Sequence, residues 1–332
     1  MNDLNVVYAA DDNFVEAMGV SIASLRCNTQ EFKHVHIYVI DSGINGRNKT
    51  RIESIVNKVE SFSITWLKSI DITKELSLDV SIDRGSVAQY ARLFISRLVP
   101  ASVERILYLD CDVLIVRPIM DLWKMGLDNN IIGGLLDAFG EKYRRNLGLK
   151  QNSAMFNSGV MLIDVNRWRS KNIEKKLLRF IVSHHGVVQQ GDQGVLNAVL
   201  SNSLKAMDPR YNAVTIMFDF TYLELLTYRK PVNYYSEDEI EKAVKAPVII
   251  HFTSSFLSNR PWEIGCNHPY VDVWLSYRNM TPWKNNTLRK DKKDWKVRWY
   301  RWVGRIIPRP IFLMISGILQ AYLRPLIFRL KK

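Results

Sequence analysis

The sequence predicts an α/β domain with a mostly parallel central sheet flanked by helices, followed by a basic amphipathic helical tail. Three observations carry this. Short apolar runs rich in β-branched residues alternate with segments of helical period, several of those runs end in an aspartate, and the positive charge is concentrated beyond residue 280.

The elements follow in order. "LNVVYAA" reads as a strand ending at Asp11, and Met18, Ile22 and Leu25 follow at helical spacing. "VHIYVI" is a second strand, ending at Asp41; Ile52, Ile55, Val56 and Val59 form a helix face, and "FSITWL" is a third strand. Tyr90, Leu93, Phe94 and Leu98 predict a further helix before the strand "RILYLD". Beyond Asp112 the alternation is less regular: "IIGGLLD" and "GVMLID" read as strands, Leu177, Leu178 and Ile181 and then "DQGVLNAVL" as helical segments, and "PVIIHF" as a last buried strand. No internal repeat or Pro/Gly linker interrupts residues 1–279, which predicts one domain there.

The net charge is +13, and residues 280–332 hold 14 lysines and arginines against Asp291 and Asp294. The body is therefore nearly neutral, which disfavours a nucleic-acid-binding surface on it. Three cysteines without CxxC spacing point to a reducing compartment rather than a disulfide framework. The start, "MNDLNVVYAADDNF", has neither a basic n-region nor a long apolar stretch, so a cytoplasmic location is expected.

In an open α/β sheet, ligands sit outside the carboxyl ends of the strands. Asp11, Asp41, Asp110 and Asp137 all end predicted strands, so acidic groups are expected to converge on one edge. Asp110 and Asp112 are at i and i+2, a spacing that can turn both carboxylates to one side while Cys111 faces the core; two hard oxygens suit Mg²⁺ or Mn²⁺, and equally an Asp-rich turn capping the sheet. His251 ends "PVIIHF", where it fits either a hydrogen-bonded core position or a third ligand whose nitrogen would favour Mn²⁺. In "AADDNF", Asp11 can accept from a pyrimidine imide and Asn13 can bond ribose hydroxyls, or the loop can cap the following helix. Arg92 lies in an apolar helical stretch and needs a carboxylate or a bound anion.

Taken together, "YAADDNF", "QYARLF", "LYLDCDVLI", "FNSGVMLID", "QQGDQGVLNAVL" and "VIIHFTSS…RPW", in this order and spacing, resemble the family 8 retaining glycosyltransferases over about residues 3–265. The likeness is to bacterial galactosyl- and glucosyltransferases of lipopolysaccharide and lipooligosaccharide. It implies the GT-A fold and a UDP-hexose donor, with galactose and glucose both open. By the same resemblance Asp110, Asp112 and His251 would be Mn²⁺ ligands (Mg²⁺ being the alternative), and Asp11 and Asn13 would meet uracil and ribose. Arg92, Asp137, Asn157, Asp192 and Gln193 would grip the donor sugar, with Gln193 nearest the anomeric carbon. Thr253, Ser254 and Arg260 would meet the pyrophosphate, although family members often have a Lys where Arg260 stands and a shorter loop before "PW". Retention through front-face attack is the expected route, because an amide such as Gln193 is a poor nucleophile.

In the tail, Trp295, Trp299, Trp302 and Ile306 fall on one helical face and Arg298, Arg301 and Arg305 beside it. The following run "IFLMISGILQAYL" is shorter than the roughly 20 residues of a spanning helix. A helix lying on an anionic membrane is expected, placing residues 280–332 peripherally on the cytoplasmic face of the inner membrane, beside a lipid-linked oligosaccharide acceptor; the alternatives are nucleic-acid binding and a helical lid. A non-catalytic, membrane-tethered sugar-binding module of the same fold is the rival to an enzyme.

Overall fold

The computed structural model describes residues 3–57, 59–81, 87–291 and 293–331. Its centre is a seven-stranded sheet built from β1 (Asp3–Ala10), β2 (His34–Asp41), β3 (Phe62–Lys68), β4 (Arg105–Leu109), β6 (Ile132–Leu136), β7 (Phe156–Asp164) and β8 (Leu204–Ala206), in the order β3-β2-β1-β4-β7-β6-β8. Three short strands, β5 (Val113–Ile115), β9 (Ala213–Val214) and β10 (Ile249–His251), form a second sheet in the order β5-β10-β9. The central sheet is mostly parallel, as the sequence predicts, and β7 alone in it runs against its neighbours. Apolar side chains cover both faces: Val6, Tyr8, Val35 and Leu107 on one side with Met18, Ile22 and Ile52, and Val7, Ile40, Ile106 and Tyr108 on the other with Tyr90, Phe94 and Leu196.

Five details differ from the sequence reading. The helix expected over Tyr90, Leu93, Phe94 and Leu98 is a 3₁₀ segment, Val87–Phe94, followed by a single α turn, Ile95–Leu98. "GVMLID" lies in a strand that begins earlier and is antiparallel, and "PVIIHF" contributes to the small second sheet. Trp283, placed by sequence in the tail, is 2% exposed and packs in the main core, so the body continues past residue 279. The last apolar run is not an isolated 13-residue stretch but part of a helix over Arg309–Leu330, 22 residues long, which is long and apolar enough to cross a membrane by length and composition. A π turn, Leu319–Leu323, precedes Arg324 and Pro325. Proline supplies no N–H and its ring crowds the preceding turn, which a widened turn accommodates without ending the helix.

That helix rests on the body along one side. Phe312 and Leu313 are buried with Leu225, Met217 and Phe220; Gln320 donates to Tyr143 Oη at 3.0 Å; and Asn146 donates to the Pro325 carbonyl at 2.8 Å. Its outer side leaves Met314, Ile315, Ile318, Tyr322 and Leu326 exposed, and the helix Trp295–Ile306 leaves Trp295, Trp299, Trp302 and Ile306 exposed. Of the tail cations, Lys292 and Lys332 lie outside the described residues.

Candidate active site

The reversed strand β7 is what assembles the site. Parallel strands β1, β4 and β6 deliver their carboxyl ends, and with them Asp11, Asp110 and Asp137, to one edge of the sheet. Because β7 runs the other way, its first residues, Asn157 and Ser158, arrive at that same edge, and the Asp110 backbone N–H donates to the Gly159 carbonyl at 2.7 Å. Pairing with β6 jumps from Gly134–Met161 to Leu135–Asn157, which leaves Ser158, Gly159 and Val160 without partners in β6 and opens the strand towards a cleft of about 710 Å³. Asp41 does not join: it ion-pairs with Lys49 at 2.5 Å and accepts from the backbone N–H groups of Gly43 and Ile44, serving its own turn.

Asp110, Asp112 and His251 meet at the floor of the cleft, each offering a ligand atom within 4.8 Å of the others. The second sheet brings them together, since β10 pairs antiparallel with β5 and sets His251 opposite Val113. His251 Nε2 is 3.2 Å from Asp112 Oδ1 and 3.8 Å from Asp110 Oδ2.

A chain of hydrogen bonds fixes which imidazole nitrogen faces the carboxylates. The Gly159 backbone N–H can only donate, so Asn157 Oδ1, 3.0 Å away, accepts; it also accepts from Asn212 Nδ2 at 3.0 Å. Asn212 Oδ1 is then left to accept from His251 Nδ1 at 3.0 Å, which leaves Nε2 facing Asp110 and Asp112. An imidazole oriented through its other nitrogen beside two carboxylates could hold a divalent cation that accepts both O and N donors. Gly159 is required here, because a Cβ at that position would lie 2.1 Å from His251 Cε1 and 2.9 Å from Asp110 Oδ2.

Cations surround this acidic floor. Arg92, buried as the sequence suggests, finds its carboxylates: Nη2 is 2.9 Å from Asp110, Nε is 2.9 Å from Asp192, and Nη1 donates to the Ser158 carbonyl at 3.0 Å. Arg260 Nη2 lies 3.1 Å from Asp112 and donates to Ser254 Oγ at 3.0 Å, with its guanidinium over the rings of Phe14 and Trp262. Burial acts to raise the Asp112 carboxyl, but the neighbouring His251 and Arg260 outweigh it and hold it down at about 2.

Asp192 shows the opposite balance. It starts the helix Gly191–Leu200 behind Gln190 and Gly191, both at positive φ, a turn that buries the carboxyl at 5% exposure. Burial raises it to about 6 despite Arg92. The folded protein then holds this proton more tightly than the unfolded chain does. The group's contribution to stability is greatest below about pH 4 and is lost as pH rises towards about 6. Urea midpoints measured across that range should fall more steeply with pH in the native protein than in Asp192→Asn.

Gln193 and Asp137 are joined directly, Nε2 donating to Asp137 Oδ2 at 3.1 Å, while Gln193 Oε1 accepts from the Ser158 backbone N–H at 3.2 Å. Asp11 lines the cleft wall and accepts from the Asn13 N–H at 3.0 Å; Asn13 is exposed and is not among the residues lining the cleft, and Arg289 donates to its carbonyl at 2.9 Å. Asp12 is spent on Asn45 and Asn48. Cys111 is buried, its Sγ 3.3 Å from the Ala9 carbonyl, as its alternation with the two aspartates suggests.

Sequence reading missed Asn212, Ser158 and Arg229. Asn212 sits in the 3₁₀ turn Pro209–Asn212 beside an unremarkable strand, and Arg229, 3.7 Å from Asp137, reads as a surface cation of the helix Tyr222–Arg229. Ser158 lies within "FNSGVMLID", but nothing local marks it as the partner of both Arg92 and Gln193.

The sequence profile described as glycosyl transferase family 8 matches residues 5–264. General stress protein A of Bacillus subtilis is 30% identical over 86% of this chain and 96% of its own length. The lipopolysaccharide 1,2-glucosyltransferase of Escherichia coli is 26% identical over 87% of this chain and 81% of its own. Among solved structures, the galactosyltransferase LgtC, in complex with donor and acceptor sugar analogues, superposes with a TM-score of 0.67 at 22% identity, covering 84% of this chain and 96% of that one. That likeness establishes the GT-A fold.

Proposed function

The chain belongs to glycosyl transferase family 8, and we propose that it is a metal-dependent retaining hexosyltransferase moving galactose or glucose from a UDP-sugar to a lipid-linked oligosaccharide, of the kind found in the lipopolysaccharide core. The observation that carries this is the convergence of Asp110, Asp112 and His251 at the floor of a cleft also lined by Asp137, Asn157, Asp192 and Gln193. A sugar-binding module without catalysis needs the hydroxyl partners but has no use for a three-ligand cation site.

Asp110, Asp112 and His251 would hold Mn²⁺, which when bound supplies positive charge against the leaving diphosphate. Around it, Arg260 and Ser254 are placed to take phosphate oxygens, and the pairing of Arg260 with Asp112 keeps the guanidinium poised there beforehand. Asp11, on the wall of the cleft, and the exposed Asn13 two residues on would receive the uridine. Arg92 orients Asp110 and Asp192 together, so that one residue sets both a cation ligand and a hydroxyl acceptor. With Gln193 Oε1 already engaged by the Ser158 N–H, the amide is better suited to holding the sugar than to attacking it, and this supports front-face attack. Asn157, read from sequence as a sugar contact, has its Oδ1 committed to Gly159 and Asn212, so we assign it to orienting His251.

We also propose that the tail places the enzyme on the cytoplasmic face of the inner membrane. Trp295, Trp299 and Trp302 lie exposed beside the exposed Lys296, Arg298 and Arg305, an arrangement suited to an anionic interface, where each cation adds about 1 kcal/mol. The helix over Arg309–Leu330 would lie in that surface, since spanning would strip Phe312 and Leu313 from the body, at roughly 2 kcal/mol each. Tail association then begins near Trp295 within the 280–332 segment.

The test is release of UDP from UDP-galactose and UDP-glucose with and without Mn²⁺. Turnover of one of them, dependent on the cation, is the expected result, and no turnover of either would overturn the enzyme reading. Asn212→Ala should weaken Mn²⁺ binding about 10- to 100-fold, measured by titrating the activity with metal, because His251 loses the partner that orients it.

A further inference from the structure

The loop at residues 253–260 carries Thr253, Ser254 and Arg260 into the cleft, and it is held in large part by the tail. Arg301, on the helix Trp295–Ile306, donates from Nε to the Phe256 carbonyl and from Nη2 to the Ser258 carbonyl at 3.3 Å and to Asn259 Oδ1 at 3.0 Å. Lys293, just before that helix, donates to the same two groups on Ser258 and Asn259, at 3.3 and 2.7 Å, and lies 3.5 Å from Glu263. Glu263 in turn accepts from the Arg260 backbone N–H at 3.0 Å. The other side of the loop rests on the body, where the hydroxyls of Ser255 and Ser258 donate to Asp219. Val297 of the same helix also lines the cleft.

The two sides of this helix face different surroundings. The Arg301 side chain is 19% exposed and turned to the loop, whereas Trp295, Trp299 and Trp302 are between 57% and 69% exposed. Twelve residues make a marginal helix on their own, so anything that immobilises its tryptophan face also steadies the register that aims Arg301.

We propose that the helix Trp295–Ile306 is a working part of the donor site: Arg301 and Lys293 are positioning residues that set residues 253–260 so that Ser254 and Arg260 meet a nucleoside diphosphate, and docking of the tryptophan face on an anionic membrane tightens that grip. The inference rests on the donor and membrane readings above. Two charged donors fix oxygens at Phe256, Ser258 and Asn259, adding to the packing of Phe256 on Phe220 and Tyr228 and to the two serine hydroxyls on Asp219, and a displacement of about 1 Å at such a site lowers binding or rate about a hundredfold.

The experiment uses the full chain with UDP as probe, measured by calorimetry, with and without vesicles of phosphatidylglycerol and phosphatidylcholine. Arg301→Gln should weaken UDP binding about tenfold and raise KM for the UDP-hexose with kcat within about twofold, while co-sedimenting with anionic vesicles as the native protein does; Arg301→Lys should restore most of the affinity. Anionic vesicles should tighten UDP binding to the native protein several-fold, and purely phosphatidylcholine vesicles should not. The double variant Trp299→Ala, Trp302→Ala should bind UDP normally in solution but lose the response to vesicles. Native-like UDP affinity in Arg301→Gln, or no effect of vesicles that do bind, overturns the proposal. If the native protein binds no UDP, the function reading falls, and amide hydrogen exchange of residues 256–260 decides the loop claim: exchange at least tenfold faster in Arg301→Gln upholds it, and unchanged exchange overturns it.

Discussion

Asp112→Ala should abolish cation-dependent release of UDP from the UDP-hexose, lowering kcat/KM by about 10³-fold, or ~4 kcal/mol of transition-state stabilisation. The carboxylate is one of three proposed ligands, stands 3.2 Å from His251 Nε2, and is held ionised at about 2, so none of its function is lost to protonation at neutral pH. The fold should survive. Arg260, freed of its partner, still has Ser254 and the faces of Phe14 and Trp262, and its side chain is 22% exposed. A steady-state assay with metal titration, run beside thermal melts, separates the two effects. Activity retained within tenfold would remove Asp112 from the cation site.

Gly159→Ala should do comparable damage through a single methyl group. The added carbon would fall 2.1 Å from His251 Cε1 and 2.7 Å from Nδ1, so it must push the imidazole away from Asn212 or shift β7. Neither motion is easy, as His251 is 4% exposed and the Gly159 carbonyl holds the Asp110 backbone N–H at 2.7 Å. Overpacking of this kind destabilises by about 1–3 kcal/mol, and a ligand displaced by about 1 Å loses about 10²-fold in rate. The expected outcome is a folded protein with a lowered melting temperature and UDP release reduced about 10²-fold, with Mn²⁺ half-saturation moved to higher concentration. A native metal response would show that His251 is not a ligand.

Much of the fold was legible in the chain. The runs ending at Asp11, Asp110 and Asp137 are strands β1, β4 and β6, because burial on both faces of a parallel sheet demands continuous apolar residues, and that demand is written locally. The helical face Leu177 and Ile181 is likewise buried where the 3.6-residue period placed it. Segment 87–98 was less legible: its apolar period fits an α-helix and a 3₁₀ helix alike over two turns. The extent of the final helix was hidden by Arg324 and Pro325, which look like an end but are carried by a π turn.

For the candidate site, the sequence by itself determined the chemical inventory: two aspartates at i and i+2, a strand-end histidine, a buried arginine in need of anions, and six ordered motifs that identify the family. Only the tertiary structure decided how those groups are coupled. Asn212 orients His251 through Asn157 and Gly159, Ser158 serves Arg92 and Gln193, and Arg301 of the tail holds the loop of Arg260. The physical reason is that a motif records what its own segment must supply, whereas a hydrogen bond between residues about 55 or 40 positions apart depends on where a reversed strand and a second sheet happen to bring them, and no local pattern encodes that.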